Sequence, residues 1–332
     1  MKDLLKYLPQ LRGKKIGVYG DFIADEYVYG TINRFSREAP VFIVNYEESQ
    51  IGLGGAANTV NNIHELGGKP FPFGILGKDF PGRTLYSIMK EKGIDTGGIL
   101  VEEDFTTFVK QRVVAGSPHS VKQQILRIDR CLPLPSKSPY RTSLDQKAKA
   151  MLSKLDAFIV SDYGLGVSQP EGLKQILDEL RQKEIPCFVD SRQNLMSYPG
   201  ITAATPNEPE VESILGKIID SESLVSVGSE LLESLNSDAL LITRGKNGMM
   251  LFQKNAEPRG IPIFGSPDIV DVTGAGDTVI STFAMAVSAG VSFYDAARLA
   301  NCAAGIVVMK RGAATVTQAE LSEAIQVASF HS

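Results

Sequence analysis

Asp271-Val272-Thr273-Gly274-Ala275-Gly276-Asp277-Thr278 is the stretch from which the fold can be read. It follows a short extended run, Ile261-Pro262-Ile263, and opens an apolar segment that reads as a helix from Thr278 to about Ala289. Two glycines permit a tight turn, and small side chains at 273–276 leave consecutive backbone N–H groups open where the helix begins. Those donors and the positive end of the helix dipole form an anion site. An aspartate beside such a site repels the anion. Asp277 is therefore suited to take a proton from a hydroxyl while the amides of Gly274, Ala275 and Gly276 hold a transferring phosphoryl group. The structural alternative is a strand-to-helix turn in which Asp277 only favours the dipole.

Working outward, apolar runs end repeatedly in an acid. Lys15-Ile16-Gly17-Val18-Tyr19-Gly20 leads to Asp21, Ala157-Phe158-Ile159-Val160 to Ser161-Asp162-Tyr163-Gly164, and Pro186-Cys187-Phe188-Val189 to Asp190. Open α/β sheets bind ligands outside the carboxyl ends of their strands. Asp21, and Asp25 just beyond it, can there receive sugar hydroxyls, or be turn aspartates that bond their own backbone. Helical stretches of 10–15 residues separate strands, at Phe80 to Lys92, Ser143 to Leu155 and 171–183, and the apolar final helices, about 293–310 and 317–328, would cover one sheet face. The alternation predicts a doubly wound, mostly parallel α/β sheet with helices on both faces.

Residues 27–46 and 105–129 break that rhythm. They are rich in β-formers, with no helix inside either piece, and predict a small antiparallel lid inserted into a single domain spanning 1–332. Between them, Gly52-Leu53-Gly54-Gly55-Ala56-Ala57-Asn58 enters a helix to Leu66. Its glycines allow a ligand, or a neighbouring strand, to approach the backbone closely. Asn207 and Glu210 have the spacing of a helix-capping box. Ala239 to Thr243 reads as a further strand, turning at Arg244-Gly245.

Composition narrows the function. The chain has 332 residues and a net charge of −4, which disfavours nucleic-acid binding. No apolar run approaches the roughly 20 residues of a membrane span, and Met1-Lys2-Asp3-Leu4-Leu5-Lys6-Tyr7 contains no signal-peptide core, so a soluble cytoplasmic protein is expected. Cys131, Cys187 and Cys302 are dispersed, as are His64, His119 and His331. Neither a zinc or disulfide framework nor a Ser-His-Asp hydrolase is expected. No GxGxxG follows the first strand, which disfavours a nicotinamide dehydrogenase.

Five markers in order, Gly20-Asp21, Gly54-Gly55-Ala56-Ala57-Asn58, Asn207-x-x-Glu210, Thr243-Arg244-Gly245 and Asp271 to Asp277, resemble the ribokinase-like PfkB sugar kinases over nearly the whole chain. Tyr27-x-Tyr29-Gly30, Arg34-x-Ser36-x-Glu38-Ala39-Pro40, Lys110-x-Arg112, Gln123 to Asp129 and Ala300-Asn301 are similar to the kinase domain of D-glycero-D-manno-heptose 7-phosphate kinases of lipopolysaccharide precursor synthesis. The resemblance implies ATP and Mg²⁺ as cofactors and a homodimer paired through the lid. It implies Asp277 as base, the 274–276 amides as anion hole, and Asp21, Gly54, Gly55 and Asn58 around the sugar. Asn207 and Glu210 would serve Mg²⁺ and phosphate, Glu210 through a bound water. Thr243, Gly245 and Asn301 would lie along the nucleotide, and Asp271 and Thr273 at an activating monovalent cation, usually K⁺.

Several of these relatives continue into a nucleotidyltransferase domain with a His-x-Gly-His-type motif. This chain has no such motif, so that activity is not expected of it. Ser191-Arg192-Gln193 stands where these kinases have Pro-Lys-Gly, Arg37 stands where they have Pro, and 117–122 reads as a short insertion. Arg34, Arg37, Lys110, Arg112 and Arg127 are the cations available for a phosphate already on the substrate, or are exposed lid charges. Asp162, past its strand, completes the expected substrate side. The alternatives are another sugar or nucleoside acceptor, such as fructose or ribose, and a non-catalytic sensor on the same fold.

Overall fold

The computed structural model describes residues 1–118, 120–135, 137–220, 222–266 and 269–329. His119, which belongs to the short insertion, and His331 lie outside them. The strands in chain order are β1 (Lys15–Gly20), β2 (Phe22–Phe35), β3 (Phe42–Gly55), β4 (Lys69–Phe73), β5 (Ile75–Gly77), β6 (Leu100–Glu102) and β7 (Phe108–Gly116). They continue as β8 (Gln123–Arg130), β9 (Ala157–Asp162), β10 (Cys187–Ser191), β11 (Ala203–Ala204), β12 (Ala239–Thr243), β13 (Met249–Gln253) and β14 (Ala256–Ile261). The α-helices are α1 (Ala56–Glu65), α2 (Phe80–Glu91), α3 (Pro139–Lys149), α4 (Pro170–Gln182), α5 (Glu208–Leu215), α6 (Leu224–Leu235), α7 (Ala275–Ser288), α8 (Phe293–Val307) and α9 (Gln318–Ala328).

An eight-stranded sheet of order β14-β13-β12-β11-β10-β9-β1-β4 forms the body. The pairs from β12 to β4 are parallel, whereas β13 and β14 add an antiparallel edge. Side chains alternate across each strand, so each strand feeds two cores. Ile16, Val18, Ile159, Phe188 and Leu241 pack with α1, α7, α8 and α9. Tyr19, Phe158, Val160, Val189 and Leu240 pack with α3, α4 and α6 on the other face. A 3-10 segment, Lys2–Leu11, adds Leu4, Leu8 and Leu11 to the first core, at the i, i+4, i+7 spacing of one helical face.

The expected lid is present, with two differences. It is four-stranded, in the order β3-β2-β7-β8, and its strands reach back to Phe22 and Gly55, so it includes Asp25 and Gly54. Its central pair, β2 with β7, is parallel rather than antiparallel. Both strands leave the body in the same direction after separate excursions into it, so they can only meet in parallel. The extended run after α1 is divided: β4 ends at Phe73, and β5 pairs with β6 in a sheet of its own.

Candidate active site

The carboxyl ends of the parallel strands, the lid and the start of α7 enclose a cavity of about 760 Å³. Gly274 is the N-cap of α7 at φ 80°, in the left-handed region that favours glycine. A Cβ there would lie 2.5 Å from Asn58 Nδ2. The Ala275 N–H already donates to the Val272 carbonyl at 3.2 Å, so of the three expected amides this one is taken.

Asp277 follows, 3% exposed. Its Oδ1 accepts from Tyr163 Oη at 2.8 Å and Thr59 Oγ1 at 3.2 Å, and its Oδ2 from Asn58 Nδ2 at 2.8 Å. Burial pushes the Asp277 carboxyl up to about 6, against the lowering effect of these three donors. A buried carboxylate that is ionised at neutral pH and still protonatable meets the requirement for a general base.

Three residues expected around the sugar carry hydrogen bonds within the chain. Asp21 is fully buried and outside the cavity lining; its Oδ2 accepts the N–H groups of Tyr163 (2.9 Å) and Leu165 (3.0 Å), and its Oδ1 that of Val167 (3.0 Å). Burial, helped by the Asp162 charge, raises its pKa to about 7. Asp162 lines the cavity, but its oxygens accept from Gly164 N–H, Ser191 Oγ, Asn194 Nδ2 and Tyr198 Oη. Asn58 is fully buried and holds Asp277, with its own Oδ1 3.3 Å from Asn62 Nδ2. Of the three, only Asp162 lines the cavity.

The remaining substrate-side residues converge. Asp25 and Arg112 meet as a buried ion pair at 2.6 Å, and a Cβ on Gly54 would collide with that Asp25 carboxylate. Gly55, at φ 57°, starts α1 and lines the cavity. Lys110 stands 4.8 Å above the Tyr163 ring, its pKa lowered by burial and by Arg192. Arg127 also faces the cavity and pairs with Asp129 at 2.9 Å.

At the other end lie Thr243, Gly245 and Asn301, the last donating to the Pro262 carbonyl at 2.8 Å. The capping box is formed: Asn207 Oδ1 accepts from the Glu210 N–H and Glu210 Oε2 from the Asn207 N–H, each at 2.9 Å. Asp271 accepts from the N–H groups of Thr273 and Gly312, each at 2.9 Å. Burial pushes its carboxyl upward, yet those bonds hold it below its ordinary value.

Three cavity residues were quoted from sequence but given no role there. Asp190 stands past the third strand, and its Oδ2 is 3.8 Å from where a Cβ on Gly276 would be. Burial drives its pKa well up, with the charges of Glu210 and Asp277 adding to the effect and Arg192 opposing it. Glu210 is raised by burial in turn. Two carboxylates pressed together in this way fit a cation. Among the described residues no cluster of three or more metal-ligating side chains occurs. The other two are Tyr163 and Arg192, whose guanidinium carbon lies 4.4 Å from the Tyr163 ring centre. The acid-after-strand pattern pointed to Asp190; nothing local marks Tyr163.

A doubly wound sheet with a lid, and a buried aspartate at a helix N-terminus, define a phosphotransferase with an alcohol acceptor. The pfkB family carbohydrate kinase model matches residues 27–320, and the chain belongs to that family. It is 37% identical over 329 residues to the "Bifunctional protein HldE" of Pelobacter propionicus, covering 98% of this chain and 66% of that protein. With its namesake from Geobacter sulfurreducens it shares 39% over 310 residues, 92% of this chain and 61% of that one. The chain thus spans just under two thirds of the length of these relatives. Among solved structures, it is similar to an Arabidopsis thaliana ribokinase complexed with ribose and ATP (TM-score 0.73, 19% identity, 95% and 99% of the two chains). It is also similar to phosphofructokinase-2 from Escherichia coli (TM-score 0.75, 14% identity, again 95% and 99%).

The reassignment of Asp21 is testable. Asp21→Ala strands three buried N–H donors, each worth roughly 1–3 kcal/mol. Urea denaturation is expected to show a loss of several kcal/mol. A fully stable variant with only a raised KM for the acceptor would return Asp21 to the sugar.

Proposed function

We propose that this chain transfers the γ-phosphoryl group of ATP to a hydroxyl of a sugar phosphate, D-glycero-β-D-manno-heptose 7-phosphate, giving the 1,7-bisphosphate. The observation that carries the reading is Asp277, ionisable and held by three donors beside the open amide of Gly276. The resemblance of the lid and diglycine motifs to heptose 7-phosphate kinases supports the choice of acceptor, as does the 37% identity to an HldE protein.

In this mechanism Asp277 takes the acceptor's hydroxyl proton, and the N-terminus of α7 faces the charge on the γ-phosphoryl oxygens. Glu210 and Asp190 would hold Mg²⁺ through water, and the ion would supply positive charge against the phosphates when bound. Lys110, Arg112 and Arg127 face the acceptor's own phosphate, because a dianion buried without cations is costly. Gly54, Gly55 and Asp25 shape the sugar side, while Asn207, Thr243, Gly245 and Asn301 accompany the nucleotide. Asp271 and Thr273 are assigned to a monovalent cation such as K⁺. The Asp271 oxygens accept one amide each, and the Thr273 side chain bonds the same carboxylate.

The lid supports a homodimer. Leu126 and Ile128 alternate with Arg127 along β8, so they point away from the face that carries it, and both are exposed. Phe35 and Phe42 stack at 4.9 Å between ring centres, at 63% and 50% exposure. A second copy of the lid would cover them. No described helix is long and apolar enough to cross a membrane.

The primary test is ADP release from Mg-ATP with K⁺ present, comparing heptose 7-phosphate with fructose, its phosphates, ribose and nucleosides. Preference for the heptose phosphate is expected; preference for another acceptor would overturn the assignment while leaving the kinase chemistry. With a carboxyl near 6, kcat should fall as pH drops through about 6 and level off above it, since only the ionised form accepts a proton. Asp277→Asn should lower kcat by roughly 10²-fold or more. Glu210→Gln should leave folding intact and raise the Mg²⁺ concentration for half-maximal rate; an unchanged Mg²⁺ titration would reduce Glu210 to its capping role. Phe42→Asp should convert a dimer to a monomer in sedimentation; a monomeric parent would remove the lid interface.

A further inference from the structure

Tyr163 touches neither end of the reaction as described so far, yet it makes one of the two shortest hydrogen bonds to Asp277, Oη to Oδ1 at 2.8 Å. We propose that Tyr163 is a positioning residue for phosphoryl transfer: its hydroxyl fills the last acceptor site on Oδ1 of Asp277, so that Oδ2 is the oxygen that takes the substrate's proton. The proposal rests on Asp277 being the base.

The geometry is a count of lone pairs. Each carboxylate oxygen offers two acceptor sites. Oδ1 receives both Tyr163 Oη and Thr59 Oγ1, whereas Oδ2 receives only Asn58 Nδ2. Asn58 cannot flip to change this. Its Oδ1 lies 3.3 Å from Asn62 Nδ2, and Asn62 Oδ1 in turn accepts from Thr278 Oγ1 at 2.8 Å. One site on Oδ2 is left for a hydroxyl.

Tyr163 is itself fixed from several sides. Its N–H donates to the buried Asp21, which also gathers the N–H groups of Leu165 and Val167. Its ring carries Lys110 from the lid and Arg192 from the segment after β10, at 4.8 Å and 4.4 Å. Burial and the Asp277 charge raise the phenol well above its ordinary value, so it remains a donor at every working pH. The other groups bearing on Asp277 are Asn58 and Thr59 from α1, Asp25 from β2 and Asp190 from β10. None of them donates a hydrogen bond to Oδ1 except Thr59. In the step itself the acceptor's O–H proton passes to Oδ2 as the new O–P bond forms. The bond from the γ-phosphorus to the bridging oxygen breaks, and its electron pair leaves on ADP.

Tyr163→Phe keeps the ring under both cations and deletes only the donor. Losing a donor to the ionised form disfavours that form. The acid limb of the kcat–pH profile is therefore expected to move to higher pH, kcat at its plateau to fall about tenfold, and KM for ATP to change less than about twofold. Carboxyl-carbon NMR of aspartate-labelled protein without substrates should show the Asp277 titration moving the same way. A variant whose acid limb and NMR midpoint both match the parent overturns the proposal. Absence of turnover in the parent with every sugar would instead overturn Asp277 as base. The NMR midpoint distinguishes the two failures, because it reads the hydrogen bond without catalysis.

Discussion

Asp21 carries its carboxylate where no solvent reaches, and the three backbone N–H groups of 163–167 are what make that burial tolerable. The same residue is tied at both backbone ends, its N–H to the Ser161 carbonyl and its carbonyl to the Ala56 N–H. One residue, through its side chain and backbone together, thus joins the end of β1, the loop after β9 and the start of α1. Because that loop is pinned, Tyr163 reaches Asp277; because α1 is pinned, Asn58 and Thr59 do. The candidate base is oriented by a carboxylate that never meets the cavity.

Charge in the cavity is arranged in opposed groups. Asp25, Asp190, Glu210 and Asp277 gather in one space, and burial raises the carboxyls of the last three. Arg112 answers Asp25 directly, while Arg192 acts on Asp190 and Glu210 from further away. Such a cluster is costly when empty of ligands and favourable when a divalent cation and phosphates complete it. The lid adds the cations Lys110, Arg112 and Arg127, so sugar-side electrostatics depend on a sheet that is only loosely part of the main core. Closure and charge balance are therefore linked through β2 and β7.

Much of this was legible in the sequence because it is periodic or local. Apolar runs separated by helical stretches gave the doubly wound sheet, and the small residues before Asp277 gave the helix N-terminus. Asn207 and Glu210 formed the capping box their spacing implied. The lid's existence followed from β-rich segments lacking helices. Its parallel central pairing did not, since strand direction in β2 and β7 is set by where each leaves the body. Asp21 was read as a ligand because an acid after a strand looks the same whether it faces a cavity or a backbone loop.

By itself the sequence determined the order of elements, the glycine turn before α7 and the identity of the aspartate within it, since these depend on neighbours a few residues apart. Tertiary structure alone decided which acids are enclosed by hydrogen-bond donors and which stay open to the cavity. Asp21, Asp162 and Asp190 follow strands in the same way, yet three N–H groups close over the first, hydroxyls and amides close over the second, and only the third is left facing Glu210 and Arg192. Whether a carboxylate's lone pairs are free is a property of groups distant in the chain, and Tyr163 and Asp277, 114 residues apart, meet only when the fold is complete.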